Sequence, residues 1–204
     1  MNQLVQKPDG RRNRHAGRRQ ELLEQAADYV AAHGLNDLSV RDLAAGVGLS
    51  HRTLLYHFGS KDQLLREVLD HIRARDGARI RAALAADPTT SAAELLRVAW
   101  GFFSSPARTD FVRLYHQVFA LGLSGEPWAF WSRTVVAART SAIAASLQVR
   151  GCPASRATAA ATLVVASIRG LQLHLLTTND RTGTDAAFEE LVLVIEAQLG
   201  ALSR

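Results

Sequence analysis

The sequence predicts an all-α protein: a small N-terminal head of three helices followed by a larger helical body, about nine helices in total. Three observations carry this. Apolar residues recur at three- and four-residue spacing from Leu22 almost to the C-terminus, the period of a helix with one buried face. Alanine is abundant and only 5 of the 204 residues are proline, a composition that favours helix. No alternating apolar and polar run competes as strand, and no repeat or low-complexity segment breaks the pattern.

Taken in order, residues 1–17 are polar and basic, with Pro8, Gly10 and Gly17, and read as a flexible arm. Residues 18–33 place Leu22, Leu23, Ala26, Ala27 and Val30 on one helical face, and Gly34 stops that helix. Residues 38–61 read as two short helices with a tight turn between them. Ser39 caps the first, with Asp42 as its capping-box partner, and Leu43 and Ala44 face inward. Gly46-Val47-Gly48 makes the turn, where glycine permits positive φ. Ser50 caps the second, Leu54 and Phe58 pack inward, and His51, Arg52, Thr53 and Tyr56 point out. A short helix with a polar, partly basic outer face suits the DNA major groove.

Ser60 opens a fourth helix carrying Leu64, Leu65, Val68, Leu69 and Ile72, which ends no later than Pro88. Further helices are predicted over residues 90–104, over 107–123, from Pro127 to Val149, and over 154–178, separated by Ser104-Ser105-Pro106, Gly125, and Gly151 with Pro153. The last runs from Thr184, as its cap, to Leu202. The domain division is therefore an arm at 1–17, a head at 18–62 and a body at 63–204.

The chain carries a net charge of +5 and a pI near 10.1. Six basic residues against Asp9 leave +5 within residues 1–20 alone, so the excess sits in the arm and the first residues of the helix after it. It either follows a polyanion or enters a minor groove, or it is a solubilising tail. One cysteine, Cys152, excludes an intrachain disulfide framework and fits a reducing compartment. No signal-peptide pattern is present, and the most apolar stretch, 157–176, contains Arg169 and His174. The expectation is a cytoplasmic protein with no membrane partner.

The segments SVRDLAAGVGLS, TLLYHFGSK and DQLLREVL stand in register at residues 39–69. Together they resemble the DNA-binding domain of the tetracycline-repressor (TetR) family of transcription regulators. The motif match covers about the first quarter of the chain. It implies a DNA-binding head, a ligand-binding and dimerising body, and a recognition helix at 50–57. By the same resemblance Arg41, Ser50, His51, Arg52, Thr53, Tyr56, His57 and Lys61 contact a double-stranded DNA operator. Arginine reads guanine through two hydrogen bonds. Tyr56, His57 and Lys61 fall where the family clamps phosphates, and Ser60 with Lys61 also marks a helix N-terminus, which favours an anion. The chain departs from the family at Leu55, where an aromatic residue is common, so that phosphate contact is either lost here or taken by Tyr56. His57 has a second reading, as a helix-terminal histidine stabilised by the dipole.

In the body, aromatics concentrate between residues 100 and 131. They read either as plain core or as a pocket for a small apolar or aromatic effector, lined by Trp100, Phe103, Tyr115, Phe119 and Trp131, with His174 as a polar contact. Val164, Ile168, Leu171 and Leu175 form one helical stripe, and Phe188, Val192, Ile195 and Leu199 a second. They face either the subunit's own core or a four-helix homodimer interface, and the need for two heads on a palindromic operator favours the dimer. No nucleophile motif, phosphate loop or HExxH pair is present. No catalytic residue, metal or cofactor is therefore assigned, and an enzyme is not expected. The function this implies is a ligand-responsive regulator, a repressor released from its operator by a small molecule. The alternative is a DNA-binding regulator without such a ligand, constitutive or controlled by a protein.

Overall fold

The structure is a computed structural model that describes the backbone of residues 10–33, 38–85, 90–126 and 128–200, and the side chains of these spans except at 10–16, 79–85 and 198–200. The expectations about residues 1–9, Gly34, Pro88, Pro127 and the Leu199 side chain lie outside the described residues. Nine α-helices and one short 3-10 turn, with no strand, are found among those described. They are α1 (Gly10–His33), α2 (Val40–Gly46), α3 (His51–Phe58), α4 (Lys61–Ala85), α5 (Ala92–Phe103), α6 (Thr109–Ser124), α7 (Trp128–Val149), α8 (Ala154–Thr178) and α9 (Arg181–Gly200). The 3-10 turn, Pro106–Arg108, joins α5 to α6. Two compact units divide between Asp76 and Gly77, within α4.

In the first unit, α2 and α3 are too short to be stable alone, since helices under about 12 residues are marginal in water. Caps and packing supply the difference. The Ser39 hydroxyl accepts from the Asp42 backbone N–H at 3.1 Å, and the Asp42 carboxylate accepts from the Ser39 N–H at 3.2 Å. The Ser39 hydroxyl, which donates to the Asp42 carboxylate, and then the Ser39 N–H hold that carboxyl below its usual range. Ser50 caps α3 through the Thr53 N–H, and Ser60 caps α4 through the Gln63 N–H, each at 3.1 Å. Gly48 takes φ +70° in the turn. Gly46 has a different role from the expected one. It ends α2 in helical conformation, and its bare Cα makes room for the Tyr29 ring of α1. Leu22, Ala26, Val30, Leu43, Leu54, Phe58, Leu64, Val68 and Ile72 close the core.

The second unit is built on α8, which packs against α6, α7 and α9. One core joins α5, α7, α8 and α9 through Ala93, Leu96, Leu147, Ala161, Val164, Phe188, Val192 and Ile195. The other side is made by α6 and α7, with Phe111, Leu114, Tyr115, Val118, Trp131 and Val135 buried. Gly122 lets α6 approach α7: a Cβ there would collide with the Ser132 side chain.

Two boundaries differ from expectation. α1 starts at Gly10, ahead of the first apolar pair, because nothing in Arg11–Gly17 breaks a helix once the later turns are anchored. α9 starts at Arg181, with Asp180 rather than Thr184 as its cap. The Asp180 carboxylate accepts from the Gly183 N–H at 2.9 Å, while Thr184 is fully buried one turn inside the helix.

Gly122→Ala is expected to lower unfolding free energy by about 1–3 kcal/mol, the cost of overpacking a close contact. Gly101, mid-helix in α5 with open space where its Cβ would be, should respond oppositely. Gly101→Ala should add roughly 0.5–1 kcal/mol. Urea denaturation of the two variants checks the contrast.

Candidate nucleic-acid interface and body sites

The head carries His51, Arg52, Thr53, Tyr56 and His57 on α3, with Ser50 as its cap, Arg41 on α2 and Lys61 at the start of α4. Arg41, Ser50, His51, Arg52 and Thr53 are exposed, Tyr56 is 78% exposed, and Leu54 and Phe58 are buried beneath them. At about 1.5 Å per residue, the eight-residue α3 is roughly 12 Å long, short enough to enter a major groove end-on. Two of the predicted contacts have structural duties as well. The Ser50 hydroxyl sits 2.8 Å from that of Thr53 while capping α3. The Lys61 ammonium donates to the Leu38 carbonyl at 2.6 Å, tying the start of α4 to the segment before α2. Two further donors remain on that ammonium. His57 and Leu55 are half-buried, and the His57 ring meets that of Tyr56 edge-on at 5.6 Å.

The sequence reading missed Arg19. This residue of α1 donates from Nε to the His57 carbonyl at 3.2 Å, and pairs with the Glu67 carboxylate of α4. Its guanidinium lies 4.7 Å from the centre of the Phe58 ring. One side chain thus holds the end of α3 to both flanking helices. The basic arm drew attention to total charge, and nothing in the sequence distinguished Arg19 from its neighbours.

In the body, four of the six predicted pocket residues come together. Tyr115 and Phe119 are 5.0 Å apart between ring centres, and Trp131 lies 6.0 and 6.2 Å from them. Phe103 joins through the Arg139 guanidinium, which lies 5.2 Å from its ring centre and 5.5 Å from that of Tyr115. Trp100 is elsewhere. It stacks on Phe188 at 4.9 Å, and its Nε1 donates to the Asp185 carboxylate at 2.8 Å. It turns toward α9 because it continues the Ala93–Leu96 face of α5. There it lines an open pocket of about 670 Å³ with Arg97, Ser104, Arg181 and Glu189. Arg97 pairs with both oxygens of Glu189, which lowers that carboxyl's pKa. His174 is exposed on α8 and is no part of the aromatic cluster's buried lining. Among the described residues, no three His, Cys, Asp or Glu side chains converge as a metal site.

Most of the predicted association stripes lie against the subunit's own core. Val164, Val192, Ile195 and Phe188 are buried in the subunit's own core, with Ile168 and Leu171 partly buried against it and Leu175 half-buried. They repeat at helical spacing because they fasten α8 to α9. The exposed apolar residues of these helices are instead Leu163, Leu173, Leu193 and Val194. On α8, Leu163, Ala166, Gly170 and Leu173 form an exposed stripe at three- and four-residue spacing.

Residues 22–68 match the sequence model of the bacterial regulatory proteins of the tetR family. The HTH-type transcriptional repressor KstR2 of Mycobacterium tuberculosis is 48% identical over 62 residues, 28% of this chain and 31% of its own length. The chain thus matches about a third of that curated relative. Solved structures extend the likeness to the body. A protein from Rhodococcus sp. described as a TetR-family transcriptional regulator is 25% identical with a TM-score of 0.69, over 90% of this chain and 99% of its own. The multidrug binding protein EbrR, solved with imidazole, is 29% identical with a TM-score of 0.66, over 92% and 95%.

Arg19→Ala removes a charged hydrogen bond, an ion pair and a ring contact at once. It is expected to cost about 1.5–3 kcal/mol of head stability, read by urea denaturation. Arg18→Ala, which loses only an exposed ion pair with Glu21, should change stability by at most about 1 kcal/mol.

Proposed function

Because the chain belongs to the tetR family of bacterial regulatory proteins, we propose that it is a transcriptional repressor. It binds a palindromic operator as a homodimer and releases it when a small molecule occupies the body. The observation that carries the DNA-binding part is the exposed row Arg41, His51, Arg52, Thr53 and Tyr56 over a fully buried Leu54 and Phe58. Nothing in the described head covers that row. Arg52, near the N-terminal end of α3, reads a base edge. Tyr56 and the free donors of Lys61 grip phosphate, which supplies affinity but little specificity.

Dimerisation rests on the exposed stripe of α8 with Leu193 and Val194 of α9. Leu173 and Leu193 are 52% and 54% exposed, and open space surrounds the Gly170 Cα, so another helix can approach closely there. α8 is long and apolar enough, by length and composition alone, to cross a membrane, with 33% of its apolar window buried. A second subunit accounts for the remaining apolar face, because an isologous four-helix contact covers the same stripe on both copies. Ligand release follows from population shift: an effector that fits better when the two heads are spread draws the dimer off DNA. EbrR, the multidrug binding protein solved with imidazole, supports a small-molecule site in this fold.

The test is binding to DNA from the region upstream of the protein's own coding sequence. The wild type should bind one palindrome tightly, with affinity falling steeply as salt rises. Arg52→Ala should lose about 1–3 kcal/mol of discrimination at one base position in each half-site. Tyr56→Phe should weaken all sequences alike. Leu173→Glu with Leu193→Glu should give a folded monomer in sedimentation, with operator affinity lost. A dimeric double variant sinks this interface, and an Arg52→Ala protein with unchanged preference sinks the assignment of the reading helix.

A further inference from the structure

Where α6, α7 and α8 meet, two guanidiniums lie among aromatic rings with no acid to answer them. Arg169 of α8 sits 4.0 Å from the centre of the Phe119 ring. Its Nε and Nη2 are buried and have no hydrogen-bond partner. Arg139 of α7 lies against Phe103 and Tyr115, so both cations touch the cluster formed by Tyr115, Phe119 and Trp131. Among the described residues neither makes an ion pair. Several other arginines of the body are matched by acids or carbonyls. Arg97, Arg113, Arg133 and Arg181 each face a carboxylate, and Arg150 donates to the Thr90 and Ser146 carbonyls.

Burying a guanidinium with donors unused is costly. Burial, and the neighbouring Arg139, weaken the hold of Arg169 on its proton, while Tyr115 opposes this. Arginine nonetheless stays charged in proteins. The adjoining polar groups add no negative charge. His116 is pushed toward its neutral form, first by burial and then by Arg169, and Gln172, three residues beyond Arg169 on α8, is buried and neutral. A site with two cations, flat apolar walls and unused donors lacks one thing, an anion.

We propose that this cluster is the effector site and that the effector is an organic carboxylate. Its acid group takes the two buried nitrogens of Arg169, with Arg139 adding charge, and its apolar body lies against Tyr115, Phe119 and Trp131. This deepens the reading of the body as a ligand-binding unit, and rests on it. It also narrows the expected effector from apolar or aromatic molecules in general to acids. The geometry of guanidinium suits a carboxylate, which accepts two parallel N–H bonds.

The experiment uses the full-length protein and matched probes: phenylacetate and octanoate, each beside its neutral amide. Binding is read by thermal shift and by tryptophan fluorescence, since Trp131 lies in the cluster. The acids should bind at least about tenfold more tightly than the amides, the worth of one charge-assisted hydrogen bond. Arg169→Gln should abolish the preference, Arg169→Lys should keep part of it, and Arg113→Gln, on the exposed side of α6, should leave it intact. Circular dichroism of each variant separates loss of preference from loss of fold. Equal binding of acids and amides, preference surviving in Arg169→Gln, or no binding of any acid at millimolar concentration overturns the proposal. Operator binding is measured on the same samples. Acid binding that leaves operator affinity unchanged supports the site and overturns ligand release instead.

Discussion

α8 is apolar around more of its circumference than its own subunit covers, and much of the body follows from that. Three neighbours, α6, α7 and α9, pack on it. Val164 and Ala161 go into the common core, while Leu163 and Leu173 stay on the surface. A helix in this position orders the elements around it, because each must supply a complementary apolar face. It also carries Arg169 into an environment otherwise made of rings. In a helix of Ala, Val and Leu, one guanidinium is an expensive residue to bury.

The head obeys a different constraint. Its two short helices, α2 and α3, hold 7 and 8 residues, too few for either to persist unaided. Each is closed by a serine cap and pressed onto α1 and α4 by a few fully buried side chains. Arg19 then joins α1, α3 and α4 by one charged group. The consequence for recognition is preorganisation. A short helix whose inner face is fixed presents its backbone in one orientation, so the entropy of ordering the helix is not charged against DNA binding, while its exposed side chains are ordered only on contact.

The two association stripes illustrate how periodicity misleads. Val164, Val192 and Ile195 recur at helical spacing, and that spacing is the same whether a face meets its own subunit or another. Which stripe is inner depends on where α5 and α7 sit, and no local pattern holds that information. The rotation error is about one residue: Val164 is buried while Leu163 is exposed, and Val192 is buried while Leu193 is exposed. Trp100 and Phe103 separate for a related reason. They are three residues apart on α5, yet one meets α9 and the other meets Arg139 of α7.

Helix order, the serine caps of α2 and α3, the glycine turn and the uncovered side of α3 are all legible in the sequence. Those features are local: caps act within four residues, and amphipathic period is written in the chain. Tertiary structure alone decided the rest. It placed Tyr29 over Gly46, engaged Lys61 with Leu38, moved the cap of α9 to Asp180, and exchanged the buried for the exposed stripe on α8 and α9. Above all, it brought Arg139 and Arg169 to one aromatic cluster. Arg169 already stood out as a charge inside an apolar run, but whether such a charge finds an acid depends on helices far away in sequence, and packing settles that.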